Sequence, residues 1–277
     1  MMAYAGSMSS EGLKMLAGLG AGDKLAALKK INLAIAVSKM GQVTLEPLAV
    51  AMVTSNDAPV RYFGWEAYSS MRTIAIVTGG KPAETMRATL AAQFAKETDP
   101  AVIGQMMRMF IFRGTDEIPQ PALTDFFKIL DAGWVGLCRK VMVANAQTAE
   151  AGATAVEAVM SIKRQLGDKM ADKAAAQMLV NMAWAAGKAF DQAQAILQTA
   201  AKDSDIEFTF STISKLLVDC ENGLNGISQA GNGRINKALT ASGDKAANVR
   251  LAILDWVADM VKKYEIQQPQ DMVQPSK

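Results

Sequence analysis

The sequence predicts an all-α protein: an α-solenoid of about ten to thirteen helices arranged as antiparallel pairs. Three observations carry that expectation. Apolar residues recur at helical spacing along most of the chain, the same short corners return between helical stretches, and one segment pattern comes back about 40 residues on.

Composition agrees. The 277 residues are 50% hydrophobic and 20% charged, which supports a buried core and argues against wholesale disorder. Aromatics are few, while Ala and Met are abundant; such residues lose little on entering a helix.

Taken in order, "MMAYAGSMSSEGLKMLAGLGAG" has no basic n-region and does not read as a signal peptide. The chain as given therefore reads as cytoplasmic, or as exported if a leader was removed. The stretch "DKLAALKKINLAIAV" is apolar all round in its second half, which predicts a buried first repeat; a partner-binding amphipathic helix is the alternative. "INLAIAV" and "LAVAMV" are far short of the roughly 18 apolar residues of a membrane span, so none is expected.

In "NDAPVRYFGWEAYSSM", Asp57 is placed to cap and Pro59 sits in a first turn. Val60, Phe63, Gly64, Ala67, Met71, Ile74 and Ala75 then share one face. Residues 82–95 align Ala83, Met86, Leu90 and Phe94, and residues 169–189 and 205–220 also read as helices. In the latter Ile206, Phe210, Ile213, Leu217 and Cys220 mark the stripe, although "IEFTF" alone would pass for a strand. The clearest helix is 249–264, with Val249, Ala252, Ile253, Trp256, Val257, Met260, Val261 and Tyr264 on one side.

"GDK" occurs at Gly22, Gly167 and Gly243, each time between apolar helical segments. The glycine can end one helix in the left-handed conformation and the Asp can open the next. "NDAP" at Asn56 and "TDP" at Thr98 are corners of the same kind. One solenoid domain is thus expected over 1–266, with a long loop or interrupted helix in the Gly/Asn-rich 221–234 and a polar, Pro-containing tail over 267–277.

Segments "VRYFGWEAYSSM" (Val60–Met71) and "VRLAILDWVADM" (Val249–Met260) align without a gap, matching Arg61 to Arg250 and Glu66 to Asp255. A third, "DPAVIGQMMRMF" from Asp99, keeps the turn, the Asp and the Val but loses the Arg. On these residues the chain resembles the HEAT-repeat, or armadillo-like, superfamily. The resemblance implies a right-handed superhelix of helix pairs. It gives Asp57 with Arg61, and Asp244 with Arg250, the structural task of fixing corners and stacking repeats. Asp244 departs from the pattern, lying two residues too far upstream. Between about 119 and 220 no signature appears.

Chemistry finds little purchase. There is no histidine, which removes Ser-His-Asp and Cys-His catalysis, His-bearing zinc sites and histidine-ligated haem. Cys138 and Cys220 are the only cysteines; two buried thiols or one bridge are both open. Asp203, Asp205 and Glu207 in "KDSDIE" lack the glycine and distal glutamate of an EF-hand and read as a capped helix start. Asp116 and Glu117 read as a solvated turn, and "GNGR" at Gly231–Arg234 lacks the GK[ST] of a phosphate loop. Trp65, Trp134, Trp184 and Trp256 are candidates for stacking on ligands. Trp256 reads as core, and Trp65 as lying between repeats or at an interface. Met106, Met107, Met109, Met178 and Met182 read as core filler, with an adaptable Met-lined groove as the alternative.

No catalytic, cofactor-binding or metal-ligating residue is nominated, and no cofactor is expected. The resemblance implies a non-enzymatic scaffold or protein-interaction module with a protein partner. The near-equal charge, 29 basic against 27 acidic residues, argues against nucleic acid. The other readings are a structural subunit of a larger assembly and a HEAT-like helical enzyme acting on nucleic acid. The sequence leaves oligomeric state open.

Overall fold

The computed structural model describes residues 2–19, 25–114, 116–167, 169–199, 204–228, 233–241 and 245–269. Among them the chain is all-helical, without a strand. The helices are α1 (Met2–Gly18), α2 (Ala26–Met40), α3 (Glu46–Val53), α4 (Ala58–Thr78), α5 (Gly80–Phe94), α6 (Pro100–Met107), α7 (Gln120–Val141), α8 (Ala146–Leu166), α9 (Lys169–Thr199), α10 (Ser204–Ser228), α11 (Arg234–Thr240) and α12 (Lys245–Tyr264). They group into two compact units, Met1–Ile129 and Leu130–Lys277.

In the first unit α4 packs against α2, α3, α5 and α6. Its inward face differs from the expected one. Val60, Gly64, Ala67, Met71 and Ala75 are buried as the stripe predicts, but Trp65, Tyr68 and Arg72 turn inward with them, while Ile74 is exposed. The reason is a second neighbour: a helix packed on both sides buries a wider arc than one apolar stripe.

Gly64 sets the α3–α4 approach. A Cβ there would lie 2.8 Å from Met52 Cβ and 2.9 Å from both Val53 Cγ1 and the Val53 backbone nitrogen. Alanine would gain roughly 1 kcal/mol of helix propensity but must push backbone aside. Gly64→Ala is therefore expected to destabilise the protein by about 1–3 kcal/mol, read as a lower denaturant midpoint; an unchanged midpoint would contradict the close packing.

Three corners can be compared with expectation. Asp99 caps α6, accepting from the Ala101 and Val102 amides at 3.0 and 3.1 Å. Gly167 ends α8 at a φ of 67°, as the first residue of its "GDK" should; Asp168, and the corners at 22–24 and 243–244, lie outside the described residues, as does Asp244 with its expected role beside Arg250. Asp57 occupies the N-cap position of α4, but its side chain makes no capping bond. Its carboxylate instead accepts from Lys30 Nζ at 3.3 Å.

Arg61, expected with Asp57 to fix this corner, takes its carboxylate from the next corner instead. Arg61 forks onto Glu97, with Nε and Nη2 donating at 2.7 and 2.9 Å, while Nη1 donates to the Ser55 and Asn56 carbonyls. Glu97 also accepts from the Thr98 and Asp99 amides. The arginine thus ties one corner to the next, and its carboxylate partner sits 36 residues ahead rather than in its own turn.

Arg72 plays a similar part deeper in the unit. It donates to the Arg108 carbonyl at 2.7 Å, lies 4.4 Å from the Phe112 ring centre and stands 3.8 Å from Asp116. Burial pulls its pKa down to about 10. Asp116 is therefore no freely solvated turn residue, and it accepts from the Arg113 amide as well. Phe126 meets Phe110 and Phe112 edge to face, and Phe110 packs at a tilt on Phe94.

In the second unit α8 packs on α9 and α10, α9 on α10 and α12, and α11 on α12 and α10. Trp134 of α7 donates to the Met178 carbonyl of α9 at 2.7 Å. Cys138 and Cys220 are free, fully buried thiols, both pushed up by burial. Of the two expectations for 221–234, a long loop or an interrupted helix, the described residues fit the second: α10 runs on to Ser228 and α11 begins at Arg234. Glu221, fully buried in α10, accepts from the Ile235 and Asn236 amides and so caps the start of α11. The rest of that segment, 229–232, lies outside the described residues. The tail begins docked, with Gln177 exchanging two hydrogen bonds with the Gln267 backbone at 2.7 and 3.1 Å.

Candidate functional site

The site is built by α9 and α12. Both helices are long. α9 is buried all round from Met178 to Gly187 and then on the side of Ala189, Phe190 and Ala193, while α12 buries one stripe, Val249, Ile253, Trp256 and Met260. Gly187 lets them close up, since a Cβ there would meet Ile253 Cδ1 at 3.1 Å.

Between them lies an open cleft of about 360 Å³, lined by Trp184, Gly187, Lys188, Asp191, Arg250, Ile253 and Leu254. One helical turn sets its polar edge. Lys188 Nζ sits 5.2 Å above the Trp184 ring centre, and Asp191 accepts from Arg250 Nε at 3.2 Å. Leu254 of the lining and Leu251 beside it are 50% and 59% exposed. These two leucines are large apolar side chains left half exposed, next to a buried tryptophan and an arginine held by Asp191.

A second cavity of about 620 Å³ lies between α8 and α10, with Val156, Met160 and Gly223 beneath Lys163, Arg164 and Lys215. Its cations are engaged locally: Lys163 pairs with Asp172 at 2.7 Å, Lys215 with Asp219, and Arg164 Nε donates to the Met160 carbonyl. It is a charge-paired groove.

The sequence candidates fall mostly into the core. Trp65 is fully buried, which fits a place between helices of the core rather than at an open interface; Trp134 and Trp256 are buried as well. Met106, Met107, Met109, Met178 and Met182 are all buried, which removes these five from any Met-lined groove. Asp205 and Glu207 stand in the first turn of α10, where acidic side chains favour the helix; Asp203 lies outside the described residues. "GNGR" is described only at Gly233 and Arg234, and Arg234 pairs with Asp259. Trp184 is buried too, at 5% exposure, and of the four tryptophans it alone lines the cleft. The reading of the sequence missed Lys188, Asp191, Leu251 and Leu254. A signal existed in "VRLAILDW": two leucines fall off the stripe that Val249, Ile253 and Trp256 define.

Among the described residues no three His, Cys, Asp or Glu side chains are grouped to hold a metal ion, and no helix is long and apolar enough to cross a membrane. No family model and no curated protein matches the chain. An engineered protein of known crystal structure is similar over 90% of this chain and 97% of its own, at 14% identity and a TM-score of 0.42. A similarity at that level carries no argument about fold or function.

Proposed function

We propose that the chain is a non-enzymatic scaffold, a protein-interaction module that docks its partner on the α9–α12 face. The observation that carries this is the pair of exposed leucines, Leu251 and Leu254, beside the Trp184 cleft. Contiguous exposed apolar side chains rimmed by polar groups are a feature of interaction surfaces.

Each unit is read as a stretch of HEAT-like α-solenoid. Alternate helices pack side by side, α2 with α4 and α4 with α6 in one unit, α8 with α10 in the other. Two arginines of α4 each reach 36 residues along the chain, Arg61 to Glu97 and Arg72 to Arg108, a span of one helix pair. Both features support the repeat reading. A structural subunit of a larger assembly would use the same leucines and would appear as self-association.

The test substitutes both leucines. Leu251→Asp with Leu254→Asp is expected to leave the melting curve within about 0.5 kcal/mol of wild type, because both side chains are half exposed. Tagged wild-type protein should recover a protein from native lysate at fixed ratio, with stoichiometry read by light scattering. The double variant should weaken that complex by roughly 30-fold, the effect of losing about 2 kcal/mol at a contact centre. A partner retained by the variant would refute the α9–α12 site, and recovery of nucleic acid alone would refute the module.

A further inference from the structure

We infer that the α9–α12 cleft takes an amphipathic helix with an acidic flank; this rests on the docking reading above. Three observations lead there.

The first is the shape of the apolar strip. Ala247, Leu251, Leu254 and Ala258 are all exposed and follow one another by four, three and four residues, so they form a single outward seam on α12. At 1.5 Å per residue the seam is about 16 Å long, the length of about three helical turns.

The second is the backbone beneath it. The interior of a helix offers no unpaired N–H or C=O groups to an incoming chain, so a strand could add no ladder here. A partner covering the seam must satisfy its own backbone, as a helix does, and present anchors at i, i+3 or i+4, and i+7.

The third is charge. With a 100° step per residue, Arg250 and Asp255 fall on opposite sides of the seam. The side next to α9 carries Arg250, Lys188 and Asp191. Asp191 is engaged by Arg250, whose Nη2 stands 3.2 Å from Oδ1 while Nε also donates. Lys188 is exposed over Trp184 and makes no ion pair among the described residues. That flank is net positive by one charge. The far flank carries Asp255 and Lys262, which balance. A carboxylate on the α9 side of a docked helix would meet Lys188 and the outer edge of Arg250, and complementary rim charge of this kind selects partners.

The probes are two labelled helical peptides of about 15 residues with the same leucine seam, one carrying Glu and the other Lys along the flank that would face α9. Binding is followed by fluorescence anisotropy on the full-length chain. The Glu peptide is expected to bind about tenfold more tightly than the Lys peptide. Lys188→Glu should abolish or invert that preference, and Leu254→Asp should weaken both peptides. Equal affinities, a preference for Lys, no binding of either peptide, or a preference untouched by Lys188→Glu would each overturn the inference. The underlying reading fails separately: a lysate partner indifferent to Leu254→Asp refutes the docking face. A partner lost on Leu254→Asp, with no charge preference between the peptides, refutes only the acidic flank.

Discussion

Arg61→Ala should lower stability by about 3 kcal/mol or more, because it leaves a buried carboxylate without its cation. The Glu97 side chain is 4% exposed and forks with Arg61 at 2.7 and 2.9 Å. The same substitution frees the Ser55 and Asn56 carbonyls that Arg61 Nη1 holds. Arg61→Lys should recover less than half of the loss, since a single ammonium cannot reproduce a fork on the carboxylate together with contacts to two carbonyls.

The pH dependence has a fixed sign. Burial by itself would raise the Glu97 carboxyl, but the Arg61 fork and the Asp99 and Thr98 amides outweigh it and hold the group below the ordinary carboxylate value. A depressed carboxylate stabilises the fold above its unfolded pKa, and that stabilisation is lost as pH falls through the folded value. Denaturant midpoints measured from neutral into the acid range should therefore fall in the wild type. In Glu97→Gln the part of the fall owed to this residue should vanish. An Arg61→Ala protein as stable as wild type would show that the two corners are held by something else.

Trp134→Ala is expected to lower stability by about 3–5 kcal/mol, the usual range for emptying the site of a large buried aromatic. Trp134 is buried and its indole donates to the Met178 carbonyl of α9, so it both fills space and fastens α7 to the second unit's longest helix. Trp134→Phe separates the two contributions. It keeps most of the apolar volume and removes the N–H, so it should lose only about 1–2 kcal/mol. Denaturant unfolding of both variants checks the split. A loss as large for Phe as for Ala would mean that the hydrogen bond, and not the volume, dominates.

Much of the fold was legible because period is a local signal. The stripe of α12 predicted its six buried residues from Val249 to Met260, and Ala83, Met86, Leu90 and Phe94 are likewise the buried face of α5. Asp99 and Gly167 behave as their corners required, since capping depends only on residues a few positions away. Long-range partners were not legible. Nothing in "NDAPVR" says that Arg61 will choose Glu97 over Asp57, because that choice is made by a corner 36 residues ahead. Glu221 is the same lesson in a Gly/Asn-rich stretch: composition left a loop and an interrupted helix both open, and nothing local says that this carboxylate is buried to cap α11, 14 residues on. The candidate site lay between these cases. Leu251 and Leu254 could have been noticed as leucines on the wrong side of a clear stripe. Lys188 and Asp191 could not, since only packing brings α9 beside α12.

The most direct test of the docking claim is hydrogen exchange on the complex purified with its co-recovered protein, compared with the free chain. The account predicts new protection concentrated in residues 184–191 and 247–258, with the other helices unchanged. Protection confined to other helices, with 247–258 exchanging as in the free chain, would contradict it.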